Sequence, residues 1–394
     1  MKILLITPYY PPHIGGVERH VYNLARSLKL LGNDVSIVTS DFPLNYYPDK
    51  NVIRLSTLCK LFGAPICPFI FKKLNEVEAD VVHIHAPPRF FPEATTVFYK
   101  FFKRKVPLIL TNHAPVTERF ILVDVARANN LISLEKAVCM LHDRLLYYWV
   151  HKSAQRIIVQ GEAMKALLYS AILKNQVQDF SQKIRIIPNG VDDVVFDPKT
   201  CQEEAARKKF RIREENIIVF VGRLAKHKGI DYLIKAVKLV KSDFPDVLLL
   251  VVGNGNERNS LEYLSQKLDL TKNVRFVGDL PYQNIPLILS TATVLAHPSF
   301  YEGVPTVVLE AMSMAKPVIV TDAGCMAEVV QNGQTGFVVE KGNVSQLAQA
   351  LLLVLSSRKF ALNMGKKGRD LVKEKYSWTV VTKKHLDLYE EVLP

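Results

Sequence analysis

The feature that most constrains this 394-residue chain is an alternation of short apolar runs with longer helical stripes, which occurs twice. Runs at residues 2–7, 34–39, 81–84, 108–111 and 156–159 are rich in Val, Ile and Leu. Runs of the same kind return at 217–221, 247–252, 274–277, 293–296 and 317–320. A strand with one wet face alternates apolar and polar residues. These runs do not, so they read as strands covered on both faces, as in a parallel sheet. Between them lie stripes of helical period: Val17, Val21, Leu24 and Leu28 share one face, as do Leu233, Ala236, Val237 and Val240. Alternating β and α elements of this kind predict doubly wound α/β domains. The repetition is architectural, because little sequence identity links the halves. A turn-rich stretch at 187–192, Ile-Pro-Asn-Gly-Val-Asp, marks the boundary. It gives an N-terminal domain over 1–190 and a C-terminal domain over 191–376, with a ligand cleft expected between the carboxyl ends of their strands.

Charge is unevenly spread. The chain has 51 basic and 38 acidic residues, a formal net charge of +13. Residues 1–190 hold 24 basic and 14 acidic groups, so +10 of that surplus lies in the N-terminal half. Such an excess points to an anionic partner: nucleic acid, membrane lipid or a phosphorylated substrate. The five cysteines are odd in number and none has CxxC spacing, which argues against a disulfide framework or a zinc site and for a reducing compartment. No apolar run reaches the ~18–20 residues of a membrane span. The run at 1–6 is too short for a signal-peptide core, so a cytoplasmic protein is expected.

Three loops carry chemistry. Gly15-Gly16 stands between the first strand and a helix, where the missing Cβ atoms let backbone approach a ligand and helix amides can meet an anion. A nicotinamide fingerprint G-x-G-x-x-G is absent there, and Gly253-Asn254-Gly255-Asn256 does not complete one. In the second loop, Arg223 ends a strand and Lys228 precedes a helix. Two cations at the carboxyl edge of a parallel sheet can neutralise a diphosphate. The third loop runs over 298–312 and includes Glu302, Gly303, Val304, Pro305, Val307 and Glu310. A helix is expected to start at Pro305 or Thr306, with the amides of Val307 and Val308 unpaired and ready for phosphate. Glu310 can accept both hydrogen bonds of a vicinal diol, as on a ribose.

The Glu302-x7-Glu310 segment resembles the signature of retaining GT-B glycosyltransferases of family four. The stretch around Gly15-Gly16-Val17-Glu18-Arg19-His20 resembles the N-terminal motif of that family, and 187–192, 222–229, 251–255, 298–312 and 378–389 match in order. The resemblance implies two Rossmann-like domains, with the helix over 377–394 crossing back to the first. It implies a nucleotide-diphosphate sugar as donor, retention of configuration, and no metal. The absence of any D-x-D triplet agrees with the last point. Arg223 and Lys228 are then expected on the diphosphate, Glu310 on the ribose, and Glu302 on the sugar hydroxyls with the amides of Gly303–Pro305. Gly16 brings backbone to the phosphate or sugar, Asn189 lies in the hinge motif, and His113 contacts the transferred sugar. His83 and His85 are expected on alternate strand faces, so that at most one meets the ligand. Where this chain has Gln160, the family often has Ser, which weakens any role for that loop.

The acceptor is left to the N-terminal domain: a sugar, a polyprenol or another lipid. The segment 96–105 mixes four aromatic residues with four cations, and 67–73 adds Phe69 and Phe71 before Lys72-Lys73. Such segments suit an anionic membrane surface, rings in the headgroup zone and cations on phosphates. They suit equally a helix whose rings pack on the sheet. No nucleic-acid motif accompanies the cations. The expected function is therefore hexose transfer to an acceptor at the inner face of the membrane. The alternative is a GT-B-like sugar-nucleotide-binding protein without transferase activity.

Overall fold

The computed structural model describes residues 1–13, 15–42, 49–61, 64–86, 91–103, 105–113, 146, 148–172 and 180–394. Ala114, Cys139 and Arg104 lie outside the described residues. The chain divides into two compact units, Met1–Asn189 with Val381–Pro394, and Gly190–Val380.

The N-terminal unit is built on strands β1 (Lys2–Ile6), β2 (Asp34–Ser40), β3 (Val52–Leu55), β4 (Cys59–Leu61), β5 (Ala64–Ile66), β6 (Val81–Ala86), β7 (Leu108–Asn112), β8 (Arg156–Val159) and β9 (Ile184–Ile186). Seven of them form one parallel sheet in the order β3-β2-β1-β6-β7-β8-β9, while β4 and β5 make a separate antiparallel hairpin. Ile3, Leu4, Leu5 and Ile6 are all buried, as expected of an unalternated central strand. The five apolar runs of this half are all strands. The runs announced neither the β4–β5 hairpin nor β3 and β9, which are short edge strands with a central arginine each, Val-Ile-Arg-Leu and Ile-Arg-Ile. The terminal helix Trp378–Val392 joins this unit from Val381 on. It buries Val381, Leu388 and Tyr389, and its Glu391 accepts from Arg156 at 2.7 Å and Arg185 at 2.6 Å.

The C-terminal unit has strands β10 (Ile217–Val221), β11 (Leu248–Val252), β12 (Val274–Gly278), β13 (Val294–His297), β14 (Val318–Thr321) and β15 (Gly336–Val339). They form one parallel sheet in the order β12-β11-β10-β13-β14-β15. The helix Ile230–Val240 buries Leu233, Ala236, Val237 and Val240, the face its sequence stripe predicts. Each such leucine or valine contributes roughly 1.5–3 kcal/mol by leaving water. The unit closes on itself at its two chain ends. Val191 N–H donates to the Tyr376 carbonyl and Trp378 N–H to the Val191 carbonyl, and the Trp378 ring lies where a Cβ on Gly190 would sit. Among the described residues, no helix is long and apolar enough to cross a membrane.

In both sheets the strand order reverses once, between β1 and β6 and between β10 and β13. Loops leaving the carboxyl ends of two such strands diverge to opposite sides, which opens a crevice where open α/β sheets bind ligands.

Candidate functional site: a buried carboxylate and a histidine cluster

In the C-terminal unit, β10 and β13 deliver their loops to one place. After β10 come Gly222 and the exposed Arg223, whose side chain has no partner among the described residues. The turn Lys226–Lys228 follows, then Gly229, then the helix Ile230–Val240. Gly229 sits at φ +66°, and a Cβ there would strike the Pro298 carbonyl. The two loops are therefore in backbone contact. Phe300 N–H donates to the His227 carbonyl at 2.7 Å, and Ser299 Oγ donates to it at 3.2 Å.

This contact brings Lys228 onto Glu302. Its ammonium bonds Glu302 Oε1, and the same oxygen receives His297 Nε2 at 3.2 Å and Ser299 Oγ at 3.1 Å. Burial pushes the Glu302 carboxyl up, but the His297 hydrogen bond and the Lys228 ammonium overcome it and hold the group down at about 2. Burial lowers His297 below its ordinary value against the pull of Glu302, so its imidazole is neutral at neutral pH. A carboxylate acceptor then requires the proton on Nε2. The ring is kept in place by stacking on Phe220, centroids 5.6 Å apart and planes 7° apart. Behind the site, Gly324 at φ +56° leaves no room for a Cβ, which would strike the Glu302 carbonyl. Gly324→Ala should cost about 2 kcal/mol for the left-handed conformation alone, lowering Tm by about 4–8 °C. An unchanged melting curve would refute this close packing.

The helix Thr306–Ser313 starts after Pro305, where the sequence placed it. One expectation is corrected here. The Val308 amide is not available to a phosphate, because it donates to the Pro305 carbonyl at 3.1 Å in a tightened first turn. Val304 and Val307 are buried. Glu310 is also buried, and its Oε1 accepts from the Tyr282 hydroxyl at 3.1 Å. Tyr282 in turn meets Phe196 edge-on at 5.6 Å. Phe196 is fully buried, and its carbonyl accepts from Ser313 and Arg369. Sequence reading did not single out Tyr282, His297, Ser299 or Phe196. A histidine closing a parallel strand next to the Pro298 loop is the one signal that could have found His297.

In the N-terminal unit, Gly15 caps the helix Gly16–Leu30. The space beside Gly15 is taken by the Glu18 carboxylate, which pairs with His13 at 3.0 Å, so a ligand does not approach Gly15 there. Gly16 has nothing within 4 Å of its Cβ position and keeps the open approach.

His83 and His85 correct a second expectation. They share one face of β6, with ring centroids 4.1 Å apart, because side chains two positions apart on a strand point the same way. His83 bonds the Tyr389 hydroxyl at 2.7 Å and Thr111 Oγ1 at 2.6 Å. His85 Nδ1 bonds His113 Nε2 at 2.9 Å. The His20 ring lies 4.6 Å from that of His113. His385, from the terminal helix, stands 5.7 Å from His83. Burial lowers all five, His113 to about 3 and His385 to about 4, so they pack as neutral rings. Of the five, only His113 keeps partial exposure. His20, His85 and His113 bring ring nitrogens within 4.8 Å of one another, a spacing a divalent ion can use, although the His85–His113 hydrogen bond accounts for their approach by itself. Gln160, after β8, is buried, and neither end of its amide is hydrogen-bonded among the described residues.

Two Rossmann-like sheets, each with its polar groups gathered where the strand order reverses, define a GT-B architecture. Residues 14–194 match the family model described as Glycosyltransferase Family 4, and residues 202–371 match Glycosyl transferases group 1. The chain belongs to the GT-B glycosyltransferases of family four. It is 28% identical over 408 residues to an uncharacterised glycosyltransferase of Methanocaldococcus jannaschii, covering 99% of this chain and 98% of that one. It is 35% identical over 204 residues, 50% of this chain and 53% of the relative, to a GDP-mannose-dependent monoacylated alpha-(1-6)-phosphatidylinositol monomannoside mannosyltransferase of Corynebacterium glutamicum. The fold is shared with sucrose-phosphate synthase from Thermosynechococcus elongatus at a TM-score of 0.77, with 22% identity and 99% and 98% coverage.

Proposed function

We propose that this glycosyltransferase moves a hexose from a nucleotide-diphosphate sugar to a lipid-linked acceptor at the inner face of a membrane, retaining anomeric configuration and using no metal. The observation that carries the reading is the Glu302 carboxylate, ionised and gripped through one oxygen by Lys228, His297 and Ser299 where β10 and β13 part. A diphosphate reaching Arg223 and Lys228 exchanges one anionic partner of Lys228 for another. The two cations then stabilise charge as it develops on the leaving group. His297 and Ser299 keep hold of Oε1, and Oε2 takes the sugar hydroxyls, with the backbone of Gly303, Val304 and Pro305 beside it.

Glu302 is not the base in this reading. A general base works best with a pKa near the operating pH, and this carboxyl is held at about 2. The leaving phosphate takes the acceptor proton as the acceptor attacks from the same side. Glu310, steadied by Tyr282, holds the ribose, and the first-turn amide of Val307 faces the phosphates. Within the N-terminal unit, Gly16 offers open backbone, His113 a neutral imidazole and Asn189 a side-chain amide as the groups for substrate. The lipid acceptor is supported by the +10 charge of residues 1–190 and by the phosphatidylinositol mannoside in the Corynebacterium relative's name.

A thermal-shift screen of UDP-, GDP- and ADP-sugars tests the donor. At a hundred times its Kd the true donor stabilises the folded state by about 2.7 kcal/mol, raising Tm by about 5–10 °C. No shift with any sugar nucleotide would overturn the reading. Binding without hydrolysis or transfer would instead favour a sugar-nucleotide-binding protein.

A further inference from the structure

The helices Ile70–Glu76 and Phe91–Phe101 pack on each other in the N-terminal unit. Their inner sides are accounted for: Ile70 and Leu74 are buried on the first, Phe91, Phe98 and Tyr99 on the second. Their outer side is unusual. Phe69 is 63% exposed, Phe71 42%, Phe101 62% and Phe102 70%. These rings are not scattered. Phe71 lies 6.0 Å from Phe98, and Phe102 stacks on Phe98 at 5.6 Å, so one buried ring joins the exposed rings of both helices into a ridge. Phe69 and Phe101 adjoin these rings in sequence and are exposed as well. Apolar side chains left in water singly need no explanation, but a cluster marks a contact surface.

The charge around the ridge is predominantly positive. Residues 69–76 and 98–105 contain six basic residues and one acidic residue. Two of the cations have structural work. Lys73 pairs with Glu76 at 2.7 Å, and Lys103 Nζ donates to the Val77 carbonyl at 3.1 Å, clamping the end of one helix to the other. Lys72, Lys100 and Lys105 are exposed, and no carboxylate pairs with them among the described residues.

We propose that this ridge docks the enzyme on an anionic lipid surface. The phenylalanine rings enter the boundary between headgroups and acyl chains, and Lys72, Lys100 and Lys105 lie on lipid phosphates. A polyanion such as RNA would satisfy the lysines, and an apolar protein partner would satisfy the rings. A bilayer interface takes both at once. The purpose assigned to the ridge, bringing the enzyme to its acceptor, rests on the lipid-acceptor reading above. The docking itself does not.

Sedimentation of the full chain with vesicles tests it, using phosphatidylglycerol-containing and pure phosphatidylcholine vesicles. The wild type is expected to bind the anionic vesicles at least roughly tenfold better than the neutral ones, with binding weakened by salt. Phe101→Ser/Phe102→Ser and Lys72→Glu/Lys100→Glu/Lys105→Glu should each lower binding roughly tenfold. All five positions are exposed, so the fold tolerates both variants, and unchanged melting curves verify it. Failure of the wild type to sediment with anionic vesicles overturns the proposal. So does wild-type binding by the phenylalanine variant, which would leave only a nonspecific polyanion site. The sugar-nucleotide thermal shift is measured on the same samples. Lost vesicle binding with an intact donor shift refutes the ridge alone, and intact vesicle binding without any donor shift refutes the transferase reading alone.

Discussion

Glu302→Gln is expected to lower the rate of sugar transfer by about a hundred- to a thousandfold, the usual effect of removing one preorganised electrostatic contact. The amide keeps the shape but presents one oxygen and an NH2 group where three donors converge. Lys228 loses its counter-charge, and the second oxygen offered to the sugar is lost. Lys228→Met disturbs the same pair from the other side. It leaves a buried carboxylate held by two neutral donors, and breaking a buried pair in this way costs up to about 3–5 kcal/mol. With both side chains 16% exposed, the lower part of that range is expected. The double variant should be more stable than Lys228→Met alone, because the orphaned charge is gone. Initial rates and urea unfolding of the four proteins check this. A Gln variant with near-wild-type turnover would remove any essential role for the charge. In the wild type the carboxyl is held below its unfolded value. Its stabilising contribution is therefore present above about pH 4.5 and is lost as pH falls toward 2.

The second large effect is acid sensitivity of the N-terminal unit. His20, His83, His85, His113 and His385 all bind protons less readily folded than the usual 6.5, because burial disfavours their charged form. Below pH 6.5 the unfolded chain takes up protons that the folded unit refuses, so stability falls as pH falls. The loss begins near 6.5 and continues down to about 3 to 4, where His113 and His385 charge in the folded state. One pH unit below 6.5 each histidine costs on the order of 1 kcal/mol. Five together remove several kcal/mol from a typical total of about 5–15. Calorimetry at pH 7.5 and 5.5 should show the N-terminal unit melting about 10 °C or more lower at the acid pH. The C-terminal unit should move less, since Glu302 does not titrate there and the unit carries two histidines, His227 and His297, in place of a cluster of five. Equal small shifts of both units would contradict the neutral-cluster account.

Much of this was legible in the chain itself. Ten apolar runs mark ten strands, because a strand covered on both faces has no polar positions to interrupt it. Two helical stripes mark the faces that pack on the sheets. Pro305 marks a helix start, since its fixed φ and missing amide suit a first turn. The edge strands β3 and β9 did not show, because an edge position tolerates arginine and three or four residues are too few for a pattern. The partnership of Glu310 with Tyr282 did not show either, since 28 residues separate them and neither has a local signature.

Sequence by itself determined the α/β class, the two-fold repetition, the basic N-terminal half and the identity of Arg223, Lys228, Glu302, Glu310 and His113 as groups worth following. The first three are properties of composition and of short-range period, which the chain carries whether folded or not; the residues come from local motifs and, for His113, from the family resemblance. Only the tertiary structure decided which groups meet. Lys228 and Glu302 are 74 positions apart, and they touch because β13 pairs with β10 rather than with its own sequence neighbour β12. His83 meets Tyr389 across 306 positions because the last helix packs back on the first unit. Strand order and helix docking are settled by which apolar faces cover one another. No local pattern encodes that choice, and it turns separate charged residues into one held carboxylate and five separate histidines into one neutral cluster.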